Sequence, residues 1–516
     1  MDGVTRALLL WTSLARELKN SMKAIWTLCL ALLLASMVAC GGSSSSPIVP
    51  PPSPNNAGYS NASLSGSYVF SLRGADSRGG AFAAVGEFTA DGTGKITSGQ
   101  EDVNDLFSGL QQQAAISSGT YSVGIDGRGQ ATLNFAAGSS VTFSFVLVSP
   151  SKARIVELSN FELSSGLLER QDAAPLVAPT GSYVLRMDGS NNVRFGQPVS
   201  RVGLLTATGA GASAVLDENY NGTFTPTIAV PSTAFSGFSG TSGRGVMQFT
   251  TTTGGASSTG TVIDLVFYVV NPTRIEFLSI NQSEQVSGYA DQQSGTFTTA
   301  ASVNNPYVYS ISGDSATGFI TETGSFALSG GTVSSGLEDF VDTGAYSASV
   351  PFSGAYVVDG TNNGRFTGNF VASGRTVNFV LWFSSAQNAV LMAYNSASTL
   401  LESGLVAVQP AVPTNGTVTS NYALHLGGST FGALTLLDGQ LLADGLGTFT
   451  GLEDFNQGGN VAAGASASGS YSIASGRGTG SIGGIPVVLY PASSSTIYVM
   501  STSGSRMLIG SLETQH

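Results

Sequence analysis

Acidic side chains recur in tight groups along this chain: Glu101, Asp102 and Asp105; Glu338, Asp339 and Asp342; Glu453 and Asp454; and, in inverted order, Asp217 and Glu218. Only 10% of the 516 residues are charged, against a usual quarter, so the grouping asks for a chemistry. Clustered carboxylate oxygens suit a hard cation, which wants several oxygen ligands. Two facing carboxylates can cleave a glycosidic bond. A carboxylate can also act as a brace, accepting hydrogen bonds from loop amides or pairing with an arginine. Arg128, Arg244, Arg365 and Arg477 each stand just after a glycine turn and supply such a partner. The spacing is not that of an EF-hand, and no group is elaborated beyond the others as a catalytic centre would be. The brace is the expected role. The other residues with chemical potential are few. The histidines are His425 and His516, too few for a His-based metal site or a Ser-His-Asp triad. His425 alternates with Tyr422, Leu424 and Leu426 and is expected at the surface. Trp382 alternates with Phe379, Leu381 and Phe383 and is expected to face solvent or a neighbouring unit. No enzyme activity, cofactor or metal site is assigned. Lys and Arg total 20 against 32 Asp and Glu, without a basic stripe, which excludes a nucleic-acid partner.

The elements that carry these groups are repeated. "YVFSLRG" at Tyr68 returns as "YVLRMDG" at Tyr183, "YVYSISG" at Tyr307 and "YALHLGG" at Tyr422. Alternating apolar residues mark each as a strand with one buried face. A second signature, "GEFTADG" at Gly86, recurs at Gly203, Gly324 and Gly439. Its trailing glycine predicts a hairpin turn with positive φ. A third mark is a Gly-Arg turn, and a fourth is a glycine with a glutamine five residues on: Gln171, Gln293, Gln409 and Gln515. Four signatures in one order, four times, define tandem copies. The expected boundaries are 59–172, 180–293, 304–409 and 419–516.

The first copy reads as eight strands, near 67–73, 81–90, 95–103, 119–125, 129–137, 141–149, 152–160 and 166–172. The fold class is therefore all-β: four tandem antiparallel units, each an eight-stranded up-and-down barrel that closes its own edges, with a β-sandwich as the alternative. Each acidic pair follows Gly99, Gly336 or Gly451 near the end of the third strand. A bulge is expected there, with the pair on the barrel rim before a long loop, Val103–Ser118 in copy one. The units resemble lipocalin and avidin-like barrels in strand number, length and the opening "GSY" at Gly66 and Gly181. The resemblance is architectural only. Tyr replaces the Trp of those families, and no ligand is carried over. A transmembrane barrel is not expected, since the strands are short and the loops are not long on one side only.

The N-terminal stretch from Met22, "MKAIWTLCLALLLASMVACGG", has a short positive start, an apolar run and small residues before a cysteine. It resembles a bacterial lipoprotein signal peptide. Met37, Val38, Ala39 and Cys40 stand at the lipobox, with Met37 in place of the usual Leu. The resemblance implies cleavage after residue 39, acyl chains on Cys40 and attachment to the membrane. Cys29 departs with the signal. Residues 1–39 are thus the signal, with Met22 an alternative start, and 40–58 a Ser/Pro-rich tether. Gly41 in place of the Asp of inner-membrane retention implies the outer membrane or cell surface in a diderm host. The whole reads as a lipid-anchored cell-envelope repeat protein for display, adhesion or envelope organisation, with an unidentified protein or surface partner. The alternative is a carrier with a small apolar ligand in each barrel.

Overall fold

The computed structural model describes residues 57–191, 197–250, 262–315, 318–372, 374–395 and 400–516. The signal peptide, Cys40 and all of the tether but Ala57 and Gly58 lie outside the described residues. In the first unit β1 (Ser65–Asp76), β2 (Ala81–Asp91), β3 (Lys95–Asp105), β4 (Gly109–Val123), β5 (Arg128–Phe135), β6 (Ser140–Ser149), β7 (Lys152–Glu157) and β8 (Glu162–Arg170) follow one another as hairpins. β8 returns to pair with β1, closing the barrel. The third unit, Pro306–Val408, closes in the same way. The second, Thr180–Gln292, keeps a seam between its fourth and fifth strands, bridged where Ser236 and Val246 exchange hydrogen bonds. In the last unit, Thr419–Thr514, the fourth strand is broken into Asn460–Ser466 and Gly469–Ala474, so nine strands make the barrel.

Alternation places one side of every strand in the lumen. Tyr68, Phe70, Leu72, Phe88, Phe143 and Phe145 form one continuous core inside the first barrel. In the third, Phe370 packs at a tilt 4.7 Å from Phe352 and 4.5 Å from Phe379, measured between ring centres. Each buried side chain of this kind contributes about 1.5–3 kcal/mol. The lumens are filled, as eight strands allow, mostly by apolar side chains with a few buried charged groups such as Arg201 between Glu218 and Glu284. Gly86 shows why the second signature needs glycine: a Cβ there would lie 2.6 Å from the Phe70 ring. The trailing glycines Gly92, Gly209, Gly330 and Gly445 all have positive φ, 57 to 80°, as the turn chemistry predicts.

Two expectations are corrected. The stretch after the third strand is not a long loop: β3 runs to Asp105 and β4 begins at Gly109, because the polar segment pairs with β3 for most of its length. The bulge expected on the third strand is present in the first unit at Thr97 and in the third at Ser335–Gly336. The third strands of the second and fourth units pair with their second strands without a shift, and each acidic pair faces a further bulge on the fourth strand. Between the pairs Glu101–Ala114 and Val103–Gln111 the fourth strand carries one residue more than the third.

The described residues belong to one compact unit, Pro52–His516, because the barrels pack wall to wall. Val69, Ala83 and Val85 of the first share an apolar cluster with Val266, Tyr268, Val270 and Leu278 of the second. Val184 and Val202 of the second meet Val380, Trp382 and Met392 of the third. Val308 and Val341 of the third meet Val488, Tyr490 and Met500 of the fourth. The fourth returns to the first through Ala423 with Val146 and Val148, and through Leu436 with Val156 and Leu163. The four barrels form a closed ring.

Candidate functional site: carboxylate joints and the axis they enclose

Consecutive residues of a strand point to opposite faces, and this splits every acidic pair. Glu101, Glu218, Glu338 and Glu453 are buried on the lumen side, in register with the second-strand positions Gly86, Arg201, Gly324 and Gly439. Asp102, Asp217, Asp339 and Asp454 leave the opposite side of the wall and enter the next barrel. The pairs sit within the wall, not on an open rim.

Each outward aspartate lies at the bulge and accepts a hydrogen bond from the bulged strand: Gln113 N at 3.2 Å, Thr227 N at 3.1 Å, Ser349 N at 3.2 Å and Gly464 N at 2.7 Å. All four donors have positive φ, near 50° in Gln113, Thr227 and Ser349 and 69° in Gly464, so the local backbone aims both amide and carboxylate. An arginine from the next unit completes the contact. Asp102 takes Arg244 Nε at 2.8 Å and Nη2 at 2.7 Å. Asp217 takes Arg365 at 2.9 and 2.7 Å, and Asp339 takes Arg477 at 2.7 Å through both nitrogens. Such two-pronged, charge-assisted pairs are the stronger kind. Tyr268 Oη, Trp382 Nε1 and Tyr490 Oη add donors at 2.7, 2.7 and 2.6 Å. Tyr268 and Trp382 stand directly across the strand pair from Arg244 and Arg365.

The fourth joint closes the ring with less. Arg128 reaches Asp454 with Nη1 alone, at 3.0 Å, while its Nε turns to Asp126. Val146 stands across from Arg128 where the aromatic donor would be. Burial pushes both Asp339 and Asp454 upward. At Asp339 the bonds from Arg477, Tyr346 and Tyr490 outweigh it and the carboxyl lies below its ordinary value. At Asp454 burial wins over Arg128 and the Gly464 amide, and the carboxyl lies above. Glu513 adds an ion pair with Lys152 at 2.5 Å and another with Arg154 across the same joint. Burial pushes Glu513 up, but the two cations hold it at about 2.

The closing glutamines are clasps. Gln171 Nε2 donates to Ser242 O at 2.8 Å and Val269 O at 2.7 Å of the second barrel. Gln293 does the same to Asn363 O and Phe383 O, and Gln409 to Gly476 O and Pro491 O. Gln515 grips the first barrel at Asp126 O and Leu147 O. Tyr59 Oη then ties the chain's two described ends, donating to Val148 O and His516 O at 3.1 and 3.0 Å. These clasps lie at the edge where each barrel's chain enters and leaves. Asn104 and Asn456 bind carbonyls of the next barrel at the far edge. Edge therefore meets like edge, and the ring has a linker face and a far face.

Asp105 turns back to the Phe107 amide, and Asp342 accepts from Ser315 at 2.8 Å. Neither joins the outward aspartate of its group. Among the described residues no group of three or more His, Cys, Asp and Glu side chains could hold a metal ion. In the lumens burial raises Glu101 and Glu338 to about 8 and Glu453 to about 7. His425 is not at the outer surface as expected. It lines the space on the ring axis and bonds Asp438 at 2.6 Å. Trp382 points out of its barrel and is buried in the neighbour.

No family model matches the chain, and none of the curated proteins does. Among solved structures it is similar, at 10% identity, to the vaccine antigen transferrin binding protein B of Haemophilus parasuis Hp5, a double mutant; the match covers 70% of this chain and 82% of that one with a TM-score of 0.19. Intact Ap-TbpB, with N and C lobes, matches at 10% identity over 70% and 83%, with a TM-score of 0.17. Likenesses this remote carry no argument.

Proposed function

We propose that the protein is a non-catalytic platform of the cell envelope, anchored through acyl chains on Cys40. The carrying observation is the closed ring of filled barrels. Side chains of the protein occupy the space that an apolar cargo would need in each lumen, which leaves the outer surface and the axis to meet a partner. Ala57 and Tyr59 are bonded to Ile125 O at the linker face. In a diderm host the expected site is the outer membrane or cell surface. The reading is tested by Cys40→Ala, which is expected to lose acyl labelling and leave the membrane fraction. Unchanged labelling and retention would overturn the anchor. An antibody against the ring is expected to label intact cells; labelling only after lysis would place the ring inside.

A further inference from the structure

The first strands of the four units converge on the ring axis and enclose a cavity of about 630 Å³, within the range of small-molecule sites. Its wall uses the parts of those strands nearer the far face, such as Arg73, Asp188, Ser312 and Gly427. The aspartate and the arginine of the joints recur in every copy, as an element of architecture should. The cavity wall does not: Arg73, Asp188, Ser312 and Gly427 are equivalent positions, and so are Ser71, Arg186 and His425. A repeated backbone has been given an asymmetric lining, in which serines and a few charged groups are set among apolar side chains such as Phe82, Leu401 and Leu436.

The charges of this wall are unequally satisfied. Arg186 pairs with Asp188 at 2.8 Å, and Asp188 also accepts from Ser200 and Ser403 at 2.7 and 2.5 Å. Arg154 is held by Glu513. Burial raises Glu276 to about 8, against the pull of Arg274 at 2.7 Å, and also raises Asp314. Arg73 is different. Its side chain is 46% exposed, and among the described residues its guanidinium makes one ion pair, at 3.4 Å, with Asp188. A fork with an open edge selects a planar carboxylate. Ser165, Ser287 and Ser312 line the same cavity and suit hydroxyls, which need partners when buried.

We propose that the axial cavity binds a polyhydroxylated organic acid of the uronate or aldonate class, its carboxylate on Arg73 and its hydroxyls on the serines of the wall. This goes beyond the anchored platform and stands whether or not Cys40 is acylated. Titration calorimetry of the full chain with D-glucuronate and D-gluconate tests it, with D-glucose and acetate as comparators. At least one acid is expected to bind tenfold or more tightly than either comparator. Arg73→Gln is expected to weaken that binding at least tenfold, and Arg78→Gln, outside the cavity, to leave it unchanged. Ser312→Leu narrows the cavity without removing a charge and is expected to weaken binding too, which keeps the test open if Arg73→Gln does not fold. Absence of binding by both acids, binding no tighter than the comparators, or full binding by a folded Arg73→Gln or Ser312→Leu overturns the proposal.

Discussion

The joint between the third and fourth barrels and the joint between the fourth and first use the same two positions, an aspartate at a bulge and an arginine after a glycine turn. Their surroundings differ. Asp339 receives two prongs of Arg477, two tyrosine hydroxyls and an amide. Asp454 receives one prong of Arg128 and an amide. The apolar cluster beside Asp339 joins Val308 and Val341 to five residues of the fourth barrel, whereas Val146, Val148 and Ala423 make up the one at Arg128. One recurring ion pair therefore does different amounts of stabilising, set by how many donors surround it. Where covalent linkers already join the barrels the network is rich. Where only contacts close the ring it is lean, with Glu513, Gln515 and Tyr59 as supplements.

The largest expected effect follows from stripping the rich joint. Asp339→Ala leaves Arg477 and Tyr490 without their buried acceptor and should cost about 3–5 kcal/mol. Asp454→Ala should cost about 1–3 kcal/mol. Urea midpoints check the order, and equal losses would erase the contrast. In the Asp454 variant, hydrogen exchange should also speed at the His516 amide, which bonds Val148 O.

Next comes pH, which sets joints against lumens. Glu101 is raised from the ordinary 4.5 to about 8 by burial, then by Glu162 and Asp102. The native state thus holds a proton that the unfolded chain releases. Its stabilisation is full below about 4.5 and is lost as pH rises to about 8. Asp339 has the opposite sign: its contribution is present above the ordinary aspartate value and is lost as pH falls through the lowered one. The melting temperature should fall between pH 5 and 8, and Glu101→Gln should flatten that slope. An unaltered slope would show that Glu101 stays ionised.

A smaller effect separates the two aspartates by charge alone. Asp339→Asn should destabilise, since the carboxylate is the favoured form. Asp454→Asn should change stability by less than about 0.5 kcal/mol, because burial already opposes its charge. A large loss in Asp454→Asn would mean that Arg128 holds a full ion pair. The smallest expectation is no effect. Calcium against a chelator should leave the melt unmoved, and a rise abolished by Asp454→Asn would restore the cation reading of Glu453 and Asp454.

Much of the barrel was legible because its signals are local. Alternation from Tyr68 and the turn glycines Gly92 and Gly127 report directly on face and backbone sign, and the strand positions of the first unit follow. β4 was misread because "QQQAA" has neither alternation nor bulk; its pairing is held by β3 and the bulge. The recurring aspartates and arginines were visible as partners, but not as partners in different barrels. Sequence within a unit does not say which unit an outward side chain meets. One signal did carry that information. The sixth strands, with "FSFVLV" at Phe143, "DLVFYVV" at Asp264 and "NFVLWF" at Asn378, are apolar without alternation. Such runs mark burial on both faces, one in the lumen and one against a neighbour. His425 was misplaced for the same reason: outward from its barrel is inward to the ring.

The Gln515 clasp has a consequence for how far such an array can extend. Linear repeat proteins need special end repeats to shield the faces left at their termini. Here every unit presents one donor face and one acceptor face, a head-to-tail contact of the kind that makes either filaments or rings. Because the acceptor carbonyls of the first barrel are taken by the fourth, no sticky end remains to recruit another molecule. Closure serves as the cap, and it fixes the number of copies by geometry.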